Sequence, residues 1–449
     1  MQRLKFELTL MLHGWAIRLA ILIFLGAGLL AIIQGVDRVE REAVHVDDLQ
    51  VDFQQQLGHW QEQSKQQSFD FGSMGYYFFS PTYISTGPWA ALVSGQRDSA
   101  MLKHRVRLLA ISGQLYGSEI HNPNIQLLGG LDLAFVFVYL LPLIIGLLCA
   151  RLLAEEVQSG RWPLLKAMAS HRILQYRLAL RFGFLTLINL LLLLTGAVIA
   201  HISLDASFFA VLLAILAYQL FWFAMCGFII RWKFNSVNSY LSFVSAWLLF
   251  VVVIPGLSSL YLSSVYHTDS GMALSIQQRD AMHSAWDKDK QASLDEFLGI
   301  YPQFADTPKL PAAFHWKWYF AMQHMSDLAV ADETAEYRRT ISSRINAAEK
   351  LQWFSPAVLL QNLLERTADT DTRSQQDYLQ AIERYHGELR DYYNIRLFYD
   401  KPIAADELSD YPRFNYLPEN RSPPLLNSLF LCCLAGFLMW ISVNKKLTL

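Results

Sequence analysis

Charge is what this sequence has least of. Only 17% of its 449 residues are Asp, Glu, Lys or Arg, against about 25% in ordinary soluble domains. The formal net charge of −2 leaves no general basicity to hold a nucleic acid, so none is expected as a partner. Cysteine is scarce too. Cys149, Cys226, Cys432 and Cys433 all fall in apolar runs, so no disulfide framework can brace the polar stretches between those runs. Within the runs they read as small apolar residues in helix packing. Reaction signatures are missing as well: there is no G-x-x-x-x-G-K-[ST], H-E-x-x-H, G-x-S-x-G or C-x-x-C. The chain cannot hold a nucleotide in the P-loop manner, and no catalytic residues stand out.

Apolar length is what the sequence has in abundance, with 53% hydrophobic and 13% aromatic residues. A membrane-spanning helix needs about 20 mostly apolar residues. Six stretches qualify, Trp15–Ile33, Leu131–Ala150, Phe182–Ile202, Phe208–Ile230, Tyr240–Leu262 and Leu425–Val443. Arg18 stands near the start of the first, where its side chain can snorkel to the interface. The third contains Leu190 to Leu194, a run that no amphipathic surface helix would show. The expected fold is an α-helical membrane protein of six spans.

Lys and Arg in the short flanking segments set the orientation. Arg3, Lys5 and Arg18 precede or open the first span. Arg151, Arg161, Lys166, Arg172, Arg177 and Arg181 lie in 151–181, between spans two and three. Arg231 and Lys233 separate spans four and five, and Lys445 and Lys446 follow the last, in 444–449. All these sites fall on one side, which predicts that both termini are cytoplasmic. The first span resembles a secretory signal in its basic start, but no small-x-small cleavage site follows. Its helical pattern continues through Val39, Ala43, Val46, Phe53, Leu57 and Trp60, which predicts an uncleaved anchor that extends beyond the membrane.

Two long inserts, 34–130 and 263–424, then face away from the cytoplasm. The first passes into Phe69–Pro81, whose Gly and Pro punctuation predicts short extended pieces and turns. The second reads as mainly helical. Tyr378, Ile382, Tyr385, Leu389 and Tyr392 share one helix face. Ser355-Pro356 has the form of a capped helix start, and Tyr411–Pro424 that of an extended return to the membrane. At about 160 residues, this insert can bury its own core, and the two inserts are expected to pack as one domain.

Polar residues near the spans offer few functional candidates. Asp132 and His201 fit the headgroup level. Asn189, Tyr218 and Gln219 could line a passage or hold helices together by hydrogen bonds. No chain of buried acids marks an ion-driven carrier. His45, Asp47 and Asp48 fit a solvated face, and His315 and His324 lack a third ligand, so no metal site is expected.

The segment Arg151–Arg172 is longer than a hairpin needs. It sets Glu155 and Glu156, then Gly160, before a basic amphipathic stretch with Leu164 and Leu165. By pattern it is either an interfacial helix on membrane lipid or a rigid protrusion. Glu155, Gly160, Leu164, Leu165, Ser170 and Arg172 resemble, in type and order, the segment between spans two and three of ABC-2-type ABC transporter permeases. Val157 stands where a second acid is usual, and Ser159-Gly160-Arg161 replaces Gly-Thr. Tyr76 to Pro81, Pro88 to Leu92, Ser355-Pro356 and Phe414 to Pro418 are similar to a subgroup with large outer inserts and mostly unassigned substrates.

The resemblance implies the permease subunit of an exporter or ATP-driven mechanical device in the bacterial inner membrane. It further implies a coupling role for Glu155, Glu156, Gly160, Leu164, Leu165 and Arg172 against a separate ATPase subunit, which would bind the ATP and magnesium, with no cofactor in this chain. A second permease subunit, identical or paralogous, would complete a dimer, and residues 1–14 would form an amphipathic interface helix. The competing class is a non-transporting sensor or scaffold whose outer domain binds a partner.

Overall fold

The computed structural model describes all residues except 1, 66–68, 99–100, 117–129, 170–171, 268–270, 312–313, 400, 402, 404–406, 418–423 and 445–449. It is mainly helical. Five helices are long and apolar enough to cross a membrane: α2 (Trp15–Ser64), α5 (Leu133–Gln158), α7 (Arg172–Ile199), α8 (Ala206–Ile230) and α9 (Ser236–Val265). A sixth, α16 (Leu425–Asn444), packs along α8, but its apolar part is shorter, Leu425–Ile441. This is the architecture of a helical membrane protein. The most apolar windows of α5 and α8 are each 72% buried, whereas those of α2 and α9 are 22% and 11% buried. The bundle therefore has a packed centre and two helices that show most of their apolar surface.

Several helices outrun the predicted spans. Span three was expected from Phe182, yet α7 starts at Arg172, because Ile173 and Leu174 bury against the bundle core before the apolar run begins. Its partner α5 carries on past Ala150 to Gln158, with a break at Arg151 (φ −104°, ψ 11°). Asp205 and Asn235 cap α8 and α9 by accepting the backbone N–H of Ser207 (2.9 Å) and of Asn238 (2.8 Å).

Both α5 and α9 contain one π-helical turn, at Val136–Leu140 and Leu249–Val253. Each turn is followed by a proline, Pro142 or Pro255, which has no N–H for the ladder behind it. Pro142 cannot donate to Val138 O, and Tyr218 OH does so instead (2.8 Å). In the π register Phe250 O faces Pro255, and Ser355 Oγ supplies the missing donor (2.6 Å).

That serine belongs to α14 (Pro356–Thr367), whose N–H at Val358 it also caps. The sequence predicts this start, but not where the helix goes. Ala357, Leu359, Leu360, Leu363 and Leu364 join the core of the membrane bundle, and Asn427 Nδ2 of α16 donates to Leu359 O (3.0 Å). A short helix from the second insert is thus built into one end of the bundle, called here the domain end.

The rest of both inserts forms one domain with a large aromatic core and a smaller one of Leu294, Phe297, Phe304, Ala321 and Phe398. Phe53 and Leu57 of α2 enter the large core together with α3 (Phe71–Tyr77) and α4 (Ile111–Tyr116). From the second insert come α10 (Gly271–Trp286), α12 (Trp316–Leu328) and α15 (Thr372–Leu397). The helices α11 (Lys290–Ile300) and α13 (Ala331–Leu351) flank them. Strands β1 (Ser80–Tyr83) and β2 (Lys103–Val106) pair antiparallel, Ser80 opposite Val106 and Tyr83 opposite Lys103. On α15, Tyr393 rather than Tyr392 completes the buried face of Tyr378, Ile382, Tyr385 and Leu389.

Phe71–Tyr77 is helical where turns were expected, with Asp70 accepting from Gly72 N (3.1 Å). Its glycines serve close approach, not chain reversal. A Cβ on Gly72 would lie 2.0 Å from the Trp316 ring. The continuous helix α2 has 50 residues, a rod of about 75 Å that joins bundle and domain.

Candidate coupling surface

At the end of the bundle opposite the domain, here the loop end, four segments meet. They are α1 (Gln2–Met11), the stretch 151–169, the 231–235 turn and the end of α16. Ser236 Oγ donates to Gln158 Oε1 (2.7 Å), and Arg231 Nη1 donates to Ile441 O (2.7 Å). These contacts bring the basic segments around Arg161 and Arg231 to one end of the bundle with the last described turn of α16, while Lys445 and Lys446 lie outside the described residues.

The predicted coupling residues do not all face one way. Leu152, Leu153 and Ala154 bury against the bundle. Glu155 is half exposed and pairs with Arg151 (2.6 Å), whose guanidinium sits 5.1 Å from the Tyr240 ring centroid. Glu156 turns inward. Arg177 Nη1 donates to its Oε1 (2.8 Å), Arg161 Nε lies 3.0 Å from its Oε2, and Arg177 Nε donates to Glu7 Oε2 on α1 (2.9 Å). Arg177, Glu7 and Glu156 are all buried. Glu156 is therefore held inside this cluster, while its neighbour Glu155 faces out.

Gly160 adopts φ +69°, which an L side chain rarely takes, and turns the chain from α5 into α6 (Trp162–Ala169). Trp162 buries beneath the turn, while Val157 and Leu164 stand 51% and 62% exposed. Leu165 is half-buried. Ser170 lies outside the described residues, and Arg172 is described only as the first residue of α7. The result is a small apolar knob on a base held by one guanidinium between two carboxylates. Such a buried cluster adds little net stability but fixes geometry, since breaking it strands a charge.

Asn189, Tyr218 and Gln219 are fully buried inside the bundle. Asn189 Nδ2 donates to Gln219 Oε1 (2.9 Å), and Gln219 Nε2 donates to Phe182 O (2.9 Å) and Thr186 Oγ1 (3.0 Å). Tyr218 holds the π turn of α5. Of the two readings left open for this trio, the placement supports interhelical hydrogen bonding and not a passage lining within this chain.

Asp132 caps α5 through Phe135 N (2.7 Å) and accepts from Ser94 N and Oγ (2.9 and 3.1 Å), a structural role. His201 is exposed just beyond α7. His315 caps α12, and His324 Nε2 pairs with Tyr301 OH (3.0 Å). Among the described residues no group of three or more His, Cys, Asp or Glu could hold a metal. All four cysteines are free thiols.

Sequence reasoning missed Glu7 and counted Arg177 only as one of the orienting charges. A signal was there: Glu7 stands three residues after Leu4 and four before Met11, on the apolar face of α1. An acid in that place needs a buried cation.

Comparison with known proteins adds one finding. Residues 272–417 match a family model described as a domain of unknown function, DUF3526. The matched stretch runs from α10 to the segment after α15, so it covers the second insert and none of the predicted coupling residues. No curated protein and no solved structure matches the chain.

Proposed function

We propose that this chain is the membrane-spanning permease subunit of an ABC-2-type transporter or ATP-driven mechanical device. In this reading the loop end is cytoplasmic and the domain lies outside the bacterial inner membrane. The observation that carries the reading is the exposed apolar pair Val157 and Leu164, mounted on the Glu7–Arg177–Glu156 cluster. Two exposed aliphatic side chains beside a half-exposed Glu155 suit a groove on a soluble partner. A base that cannot shear transmits that partner's motion to α1, α5 and α7 together. ATP and magnesium would be handled by the partner. The scantily covered helices α2 and α9 suit lipid and a second permease subunit.

Co-purification from native membranes tests this. Leu164→Glu with Val157→Glu is expected to strip an ATPase subunit from the chain and abolish stimulated ATP hydrolysis, leaving the melting temperature of the chain unchanged. Glu155→Lys should weaken the same complex less. Assembly and stimulated hydrolysis that survive all three substitutions would remove the coupling assignment and leave the sensor or scaffold reading in its place.

A further inference from the structure

The domain carries a cleft that the coupling reading does not use. Residues 411–417 run without regular secondary structure beside α15, and Arg413, Phe414 and Tyr385 line two adjoining hollows. The first, about 540 Å³, opens between this strap, β1 and the part of α2 beyond the bundle. The second, about 470 Å³, opens between the strap and α15. Each falls in the range of roughly 300–1,000 Å³ usual for small-ligand sites.

The lining alternates rings with unengaged planar polar groups. Tyr83 and Phe414 face the first hollow and Tyr416 the second. Gln54, Gln55, Gln380, Asn415, Arg384 and Arg413 also line the hollows, and none makes a hydrogen bond or ion pair with another described residue. Four of these are amides, which donate and accept at once. Charge is close to balanced, since Asp47, Asp377 and Glu388 stand among the two arginines.

That balance selects against the simple ligand classes. A phosphate or polyanion would meet three carboxylates, and an isolated cation would meet two guanidinium groups. An acyl chain would find the second hollow mostly polar. An extended peptide could add to a strand edge, but Pro81 in β1 has no N–H to offer it. The remaining match is a neutral molecule with apolar C–H faces for the rings and hydroxyls for the amides, long enough to cross from one hollow to the next.

We propose that this cleft binds a neutral oligosaccharide. Sugar rings stack on Tyr83 and Phe414 in one hollow and on Tyr416 in the other, and hydroxyls bridge to Gln54, Gln380, Asn415 and the shared Arg413.

The purified full chain, fluorescently labelled, is applied to arrays of immobilised neutral glycans, acidic glycans and random peptides. Retention on neutral glycans is expected, reduced about tenfold by Phe414→Ala, a ring truncation at the wall shared by the hollows. Arg413→Ala should weaken retention too. Arg413 is exposed and pairs with no other described residue, so this variant keeps its melting temperature even if Phe414→Ala does not. Absence of retention on any neutral glycan overturns the proposal. So does retention confined to peptides or acidic glycans, or retention that Arg413→Ala leaves unchanged. No ATPase enters this assay, so its failure is distinct from failure of the coupling reading.

Discussion

The bundle and the domain bury polar groups in different ways. In the bundle, hydroxyl, amide and guanidinium groups are mostly spent on backbone carbonyls: Tyr218 on Val138 and Ser355 on Phe250, both freed opposite prolines, Gln219 on Phe182 within α7, and Arg231 on Ile441 near the end of α16. Water cannot satisfy a stranded carbonyl inside a bilayer, so a neighbouring helix must. In the domain, polar atoms pair with each other among rings. Ser80 meets Tyr411 (3.1 Å), and Thr82 and His104 share Tyr378 OH (3.1 and 3.2 Å). The bundle uses polarity to repair backbone, whereas the domain uses it to register β1 and β2 against α15 and the strap.

The comparison can be broken hardest at the loop end, where the bundle departs from its own habit and buries a charge cluster. Arg177→Met leaves Glu7 without its cation and Glu156 with only the more exposed Arg161, at a cost of about 3–5 kcal/mol. Adding Glu7→Gln and Glu156→Gln should recover much of the loss. The melting temperature of the chain in detergent reports both, and no recovery in the triple variant would show that the cluster is not an isolated electrostatic unit.

Next in size is a contrast within one helix. A Cβ on Gly35 would fall 1.7 Å from Ala91 O, while one on Gly58 meets nothing within 4 Å. Gly35→Ala should destabilise by about 3 kcal/mol through forced backbone movement. Gly58→Ala should stabilise by up to about 1 kcal/mol through helix propensity. Equal melting temperatures for the two variants would mean that α2 does not press on the 88–91 turn.

Acidity separates the regions further. In the domain, burial holds His104 down to about 4. Burial and then Arg390 hold His324 down to about 3, and burial above all holds His386 down to about 3. Each unfolded imidazole binds its proton near pH 6.5, so the unfolded chain gains protons first, and domain stability falls as pH drops below about 6.5. Glu365 of α14, at the bundle, has the opposite sense. Burial pushes its carboxyl up to about 7, with Asp371 and Asp132 adding to the rise. Its contribution is present in full below the unfolded value of about 4.5 and is lost as pH rises through about 7. Burial also raises the Asp327 and Glu383 carboxyls in α12 and α15, which opposes the domain's three imidazoles without matching them in number. Amide exchange, corrected for intrinsic rates, should therefore quicken in α12 and α15 on acidification and in α14 on raising the pH. Parallel responses in all three helices would refute the contrast.

The smallest expected effects are single hydroxyl deletions. Tyr218→Phe should cost about 0.6 kcal/mol, as is typical between membrane helices. Tyr378→Phe, which unties Thr82 and His104, should cost about 1–1.5 kcal/mol. A reversed order would mean that repair of the π turn outweighs registry of the strands.

Much of this was legible in the sequence. Apolar runs marked the membrane-crossing helices, and Ser355-Pro356 marked a capped start because cap chemistry is local. The continuation of α2 beyond the first span, through Trp60, followed from spacing alone, and the helix ends at Ser64. What stayed hidden depends on contacts between distant positions. Glu156 reads as a surface acid next to Glu155 until Arg177 and Glu7 are brought to it. The helix α14 reads as part of a polar insert, and only its neighbours show that Leu359 and Leu363 belong to the bundle core. Gly72 and Gly75 read as turn residues because a sequence does not display the Trp316 ring that lies against Gly72.

The 50 residues of α2 have a mechanical consequence. A rod pivoting near Gly35 has arms of about 30 Å on the bundle side and about 45 Å on the far side. A tilt of about 5° at the bundle would sweep its far tip by about 4 Å, on a helix whose stiffness comes from its own hydrogen-bond ladder. Because Phe53 and Leu57 are rooted in the aromatic core, such a swing would carry the domain with it, as a crank carries its load.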